Sequence, residues 1–210
     1  LAPSDQHRLL DLQALDSRLD LLARRQATLP ERAQLVELRA QADELETAIV
    51  IAETEVSDTR AQAAKAEGDV EQVRTRAARD RQRLDTGAVS SPRELDNLQH
   101  ELESLARRQS DLEDVQLEVM QRLEDAQTRV ETLTAQREQV ASELQRVAAA
   151  LHEADAALEA EEAEVGGRRA ALAAQIDPDL LNLYERLRAQ LGGVGAARLR
   201  HGQCEGCRLQ

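Results

Sequence analysis

The sequence predicts an all-α protein: a long antiparallel two-stranded coiled-coil hairpin, kinked near Pro30, followed by a short helix and a cysteine-bearing C-terminal segment. Three observations predict it. Ala, Leu, Glu, Arg and Gln dominate the 210 residues, and all five are strong helix formers. There is no Phe, no Trp and a single Tyr, Tyr184, so the aromatic area on which large globular cores draw is missing. Finally, two long stretches carry an apolar 3-4 repeat, and the two repeats match when one is read backwards. That regularity argues against disorder, the other reading of a charged, aromatic-free chain.

The turn comes first because it fixes the pairing. Thr86-Gly87-Ala88-Val89-Ser90-Ser91-Pro92 interrupts the repeat. Gly87 is placed to end one helix. Ser91 is a good N-cap, Pro92 fits a first helical turn, and Glu94 completes a capping box with Ser91. The second arm then places Leu95, Leu98, Leu102, Leu105, Leu112, Val119, Leu123, Ala126, Val130, Leu133, Val140, Leu144, Val147, Leu151, Ala154 and Leu158 on one seam. Gln109, Gln116 and Arg137 interrupt it.

The first arm carries Leu84, Asp80, Ala77, Val73, Val70, Ala66, Ala63, Thr59, Val56, Ala52, Ile49, Leu45, Ala42, Leu38 and Leu35. Folding back at the turn sets Leu84 against Leu95, Ala77 against Leu102, Ile49 against Val130 and Leu35 against Leu144. Every such pair sums to 178 or 179. Each polar seam residue of the second arm then faces an apolar one, which reads as a register device.

Thr28-Leu29-Pro30-Glu31 breaks or kinks the first arm, with Thr28 and Glu31 spaced as a second capping box. If Leu9 to Leu22 continues the arm, Leu21 faces Leu158. Gly166-Gly167 is expected to loosen the second arm, and Asp177-Pro178 starts a short helix capped by Asp177. The boundaries that follow are a hairpin over 1–176 (arms about 4–86 and 92–175, tip 87–91), a connecting helix over 177–191 and a last module over 192–210.

Cys204 and Cys207 are the only cysteines, three apart, with Gly206 permitting a tight knuckle turn. The spacing lets two thiolates hold one zinc ion, but a structural site needs four ligands. His201 is a candidate third ligand, although a linker histidine is the plainer reading. A redox pair wants a strand–helix context that is not visible here. A zinc hook would place the pair at the hairpin tip, and a chance pair of thiols remains a further reading.

At this point the chain resembles the bacterial zinc-ribbon proteins with an N-terminal coiled-coil hairpin. The resemblance rests on Leu9-Leu10-Asp11-Leu12-Gln13 with Leu15-Asp16, and on Ser90-Ser91-Pro92-Arg93-Glu94-Leu95. It continues through Leu98-Gln99-His100-Glu101-Leu102, Tyr184 and Gly192-Gly193-Val194-Gly195 to Gly202-Gln203-Cys204-Glu205-Gly206-Cys207. It implies that residues 192–210 begin a four-cysteine zinc ribbon in which Cys204 and Cys207 are the first ligand pair. The second CxxC is not among the 210 residues, so zinc is expected in the full-length protein and these two cysteines supply half a site. Some members are associated with an alternative sigma factor, secretion-system ATPases or messenger RNA, which gives a class of behaviour and no partner.

No catalytic constellation is visible, so the protein is expected not to be an enzyme. His7, His100, His152 and His201 are scattered, and the carboxylates lie on helix faces. The net charge of -13 disfavours whole-surface binding to nucleic acid or anionic membrane. No apolar run approaches the roughly 20 residues that span a bilayer. With no visible secretory signal, the cytoplasm is the expected compartment. Charge is uneven, however. Residues 74–108 carry eight arginines against six carboxylates, and residues 186–210 five against one.

An adaptor that binds a protein partner is therefore the leading expectation, with Arg93 and Glu94 presented at the tip. RNA is the second, through Arg198, Arg200 and Arg208, although no aromatic residue near the cysteines offers base stacking. A transcript-cleavage factor would need Asp85, Glu94 or Asp96 to hold a metal at the tip, which the tip arginines disfavour. The seam is self-satisfied, so a monomer suffices. Val115 and Leu117 are left over for weak homodimerisation.

Overall fold

The computed structural model describes residues 3–88, 91–201 and 203–204. Four α-helices follow in order: α1 (Pro3–Ala27), α2 (Pro30–Asp85), α3 (Pro92–Ala173) and α4 (Pro178–Gln190). Two short strands, β1 (Leu199–Arg200) and β2 (Gln203–Cys204), pair antiparallel, with Leu199 opposite Cys204 and Arg200 opposite Gln203. The contacts divide the chain into two units. A distal unit comprises residues 39–142, and a base unit comprises residues 1–38 and 143–210.

In the distal unit, every seam position named from the sequence is buried or half-buried, the polar ones included. Four of the polar exceptions, Thr59, Asp80, Gln109 and Arg137, have partners for their side chains. Thr59 donates to the Glu55 carbonyl at 2.7 Å. Asp80 pairs with Arg83 at 3.6 Å. Gln109 donates to Glu113 at 2.8 Å, and Glu113 also accepts from Arg74 at 2.6 Å. These two donors hold the Glu113 carboxyl below its usual range, Gln109 being the larger cause. Arg137, expected opposite Ala42, lays its stem along the seam and carries its guanidinium out to Glu46 at 3.4 Å. Arg76 pairs with Glu101 beside the expected Ala77–Leu102 contact.

The turn obeys its local chemistry. Gly87 takes a left-handed φ of 65°. Its N–H donates to the Leu84 carbonyl, and the Ala88 N–H reaches the Arg83 carbonyl at 3.3 Å. This is a Schellman closure, in which a glycine escapes the Cβ penalty. Helix α3 starts at Pro92, and the Ser91 carbonyl accepts the Leu95 N–H at 3.1 Å.

In the base unit, two apolar clusters hold the helices. Leu22, Leu158 and Val165 form one, with Leu15, Leu19 and Leu29 packed on it. Leu12, Ile176 and Tyr184 form the other, with Leu9, Leu172, Leu180, Leu181 and Ala196 around it.

Three expectations are corrected here. Leu22, not Leu21, meets Leu158, and Leu21 is exposed. Pro30 ends one helix and starts another, so α1 need not keep the phase of α2. Thr28 closes α1 instead of capping α2, because its hydroxyl donates back to the Arg24 carbonyl at 2.9 Å. Gly166 and Gly167 do not loosen α3, which runs helical through both. Val165 on one side sits in a cluster and Arg169 on the other is tied to Asp16, so the helix is pinned across the pair.

Candidate functional site: a clamped cysteine hairpin

The elements that end on Cys204 are built outward from α4. Asp177 caps that helix by accepting the Asp179 and Leu180 N–H groups at 3.0 and 3.2 Å, as expected. At its other end Gly192 adopts φ 67°, and the Gly193 N–H closes on the Arg188 carbonyl at 2.8 Å. This is the same glycine-dependent stop as at Gly87.

Helix α4 is locked against α1 and α3 by a buried polar cluster centred on Asp16, which is 1% exposed. Arg169 donates to its two oxygens at 2.5 and 3.3 Å, a forked geometry suited to a guanidinium. The Tyr184 hydroxyl donates to Asp16 Oδ2 at 2.7 Å. Arg188 lies 3.7 Å from the same carboxylate and donates to Asp20 at 2.7 Å. Arg169 also pairs with Glu185. Each charge of the cluster therefore has an opposite partner and at least one hydrogen bond, with Arg188 Nε its one buried donor left without an acceptor among the described residues. Donation to Asp16 raises the Arg169 pKa above its ordinary value against the opposing effect of burial, with Glu185 adding to the rise.

Burial first, and then donation to Asp16, push the Tyr184 phenol well above its ordinary 10.0, with Arg188 opposing. The neutral phenol is thus favoured by folding. Its contribution to stability is fully present below the ordinary value and is lost as pH climbs through the raised one. Tyr184 is the sole tyrosine, so tyrosinate absorbance reads it alone. The expected titration shows no ionisation near pH 10.0 and a delayed rise that coincides with loosening of the base. A titration at the ordinary value would show that the buried hydrogen bond is absent.

The Gln13 side chain holds the next segment. Its Nε2 donates to the Gly193 carbonyl at 2.8 Å and to Ser17 Oγ at 3.0 Å. Its Oε1 accepts from the Gly195 and Ala196 N–H groups at 2.6 and 3.2 Å. Gly195 lies flat on Tyr184, and a Cβ there would meet the ring and the Tyr184 carbonyl at 2.7 Å. Only a glycine permits that approach.

Three residues on, the β1–β2 pair begins. His201 sits exposed in the turn between the strands with φ 52°, and Cys204 is half-buried on β2. Arg198 is exposed just before β1, and Arg200 pairs with Gln203. Cys207 and Arg208 lie outside the described residues, as do Val89 and Ser90 at the turn. Among the described residues no group of three or more His, Cys, Asp or Glu is arranged to hold a metal ion. Beside the turn between α2 and α3, Arg93 and Glu94 are exposed in the first turn of α3, without ion-pair partners among the described residues. Among the described residues no helix is long and apolar enough to cross a membrane.

The resemblance had pointed to Gln13, Asp16, Tyr184 and Gly192 to Gly195, and the structure brings them to one place. Sequence reasoning missed Arg169, Arg188, Asp20 and Glu185 as their partners. An aspartate on the apolar face of α1, between Leu12 and Leu19, was the available signal that a buried cation lies opposite.

Comparison with known proteins supports this reading of the fold. Residues 12–192 match the CT398-like coiled coil hairpin domain. An uncharacterised protein of Mycobacterium tuberculosis is 35% identical over 207 residues, covering 99% of this chain and 84% of that protein. A solved structure from Mycobacterium smegmatis shares 35% identity at a TM-score of 0.77, covering 98% of this chain and 85% of that one. The CT398 structure from Chlamydia trachomatis shares the fold at 17% identity and a TM-score of 0.64, covering 98% of this chain and 86% of that one. With its seam, its glycine-stopped turn and a family match over most of its length, the chain belongs to the CT398-like coiled coil hairpin family.

Proposed function

We propose that this protein is a non-catalytic adaptor that binds protein partners and presents a C-terminal zinc-binding module from its helical base. The observation that carries the reading is the investment in the base. The buried Asp16 cluster fixes α4, and the one tyrosine and the Gln13 side chain fix the segment that leads from α4 to Cys204. Cys204 and Cys207 would hold the metal. As thiolates they suit zinc in kind and supply two of its usual four ligands. When bound, zinc cross-links the module and adds folding energy to it. The 210 residues hold no third cysteine, and His201, exposed in the turn between the strands, is the candidate third ligand among them. The second contact surface is the distal turn with Arg93 and Glu94. Transcription or secretion machinery is the partner class that the family resemblance suggests, and the cytoplasm is the compartment that goes with it. A monomer suffices for such a role, and a weak homodimer through Val115 and Leu117 is compatible with their exposure.

Capture of the full-length protein from its own cells, with and without nuclease, tests this reading. Protein partners are expected to survive nuclease and to be lost from Arg93→Ala with Glu94→Ala. Recovery that collapses with nuclease would instead favour an RNA regulator. The exposed Arg198 at the base of the hairpin makes that the second reading, with Arg200 and Arg208. Arg198→Ala with Arg200→Ala would then weaken RNA binding and flatten its salt dependence. Zinc content should fall in parallel when Cys204 and Cys207 are both replaced by serine.

A further inference from the structure

We propose that the Gln13 carboxamide is a latch, a single side chain that fixes the cysteine-bearing hairpin on the base and can release it without dissolving the base. The proposal holds whether or not the hairpin takes a metal or a partner. After the α4 stop at Gly193, residues 193–196 form neither helix nor strand. Apart from the Gly193 N–H on Arg188, their hydrogen bonds among the described residues all end on Gln13.

The chemistry of the side chain fits the task. An amide offers an acceptor and a donor together, as a strand edge does. Its oxygen takes two N–H groups and its nitrogen gives to one carbonyl, partners that can only donate and only accept and so fix which way the group faces, while Ser17 takes the second amide hydrogen. Gln13 is itself buried. The segment is also pressed against Tyr184 at Gly195, so a ring and one carboxamide hold it together.

The lock on α4 is separate. It runs through the side chains of Asp16, Arg169, Arg188 and Asp20, none of which hydrogen-bonds to residues 193–196; only the backbone carbonyl of Arg188 takes the Gly193 N–H, as the stop of α4. Among the side chains, Tyr184 links the two, since its hydroxyl donates to Asp16 and lies 3.3 Å from Gln13 Oε1. Opening the latch therefore costs a few hydrogen bonds of one side chain, a local event of the kind that proteins undergo short of global unfolding. The hairpin bearing Cys204 begins three residues beyond the latch, so its placement follows the state of Gln13.

Hydrogen exchange on the full chain, resolved by residue, tests this. In Gln13→Ala the amides of Gly195 and Ala196 and those of β1 and β2 are expected to exchange at least about tenfold faster, because two half-buried donors lose their acceptor. The α4 amides and the thermal unfolding of the helices are expected to stay as in the parent. Unchanged exchange at Gly195 and Ala196 would overturn the proposal. Equal loosening of α4 would overturn it too, by making Gln13 one more part of the general packing. Should Gln13→Ala fail to fold, Gly195→Ala decides the matter by the same readout. Its Cβ displaces the segment from the ring side, and loosening must again be confined to the hairpin.

Discussion

Replacing Asp16 with alanine is expected to destabilise the base unit by about 3 kcal/mol, the lower end of the cost of orphaning buried ionic partners. The lower end applies because Arg169 and Arg188 keep about a quarter of their side-chain surface in water, whereas Asp16 keeps almost none. The loss has three parts. Arg169 loses a forked acceptor, the Tyr184 hydroxyl loses its short bond, and Arg188, whose buried Nε already has no hydrogen-bond partner, loses the carboxylate beside it. Asp16→Asn keeps the shape and one acceptor, and should cost less. Denaturant unfolding followed by Tyr184 emission reads the base directly, since the chain has no other tyrosine and no tryptophan. A midpoint within error of the parent would mean that the cluster contributes specificity without stability.

A charge in the distal seam should have a comparable effect on the other unit. Val70 is 1% exposed in the seam. Val70→Asp places an unpaired carboxylate there and is expected to cost on the order of 4 kcal/mol, the range of buried unpaired charges. Seam position alone does not forbid an aspartate, because Asp80 occupies one. Its carboxylate reaches Arg83 beside the seam, where side chains still touch solvent. The measurement is amide exchange in the parts of α2 and α3 within residues 39–142, which should accelerate in Val70→Asp. The defect should ease as pH falls, because the protonated side chain removes the buried charge. Protection equal to the parent would show that the seam at Val70 is not a dry packing surface.

Much of this architecture could be read from local pattern alone. The seams from Leu35 to Leu84 and from Leu95 to Leu158 follow from a period of 3.5 residues, which each stretch displays by itself. Gly87, Pro92 and Asp177 mark helix ends because caps and stops depend on a handful of neighbouring residues. The cysteine spacing likewise named a chemistry without a partner.

Tertiary structure decided what depends on residues far apart in the chain. Leu22 replaces Leu21 at Leu158 because the break at Pro30 frees α1 to choose its own phase. Gly166 and Gly167 stay helical because Val165 and Arg169 are tied to α1 on either side of them. Asp16, an apparent misfit on an apolar face, is the centre of the base only once Arg169, Arg188 and Tyr184 converge on it from more than 150 positions away. Gln13 holds the approach to Cys204 by the same rule. Helix period and capping are short-range and are written in consecutive residues. The satisfaction of a buried polar group is long-range and is settled only when the chain has folded.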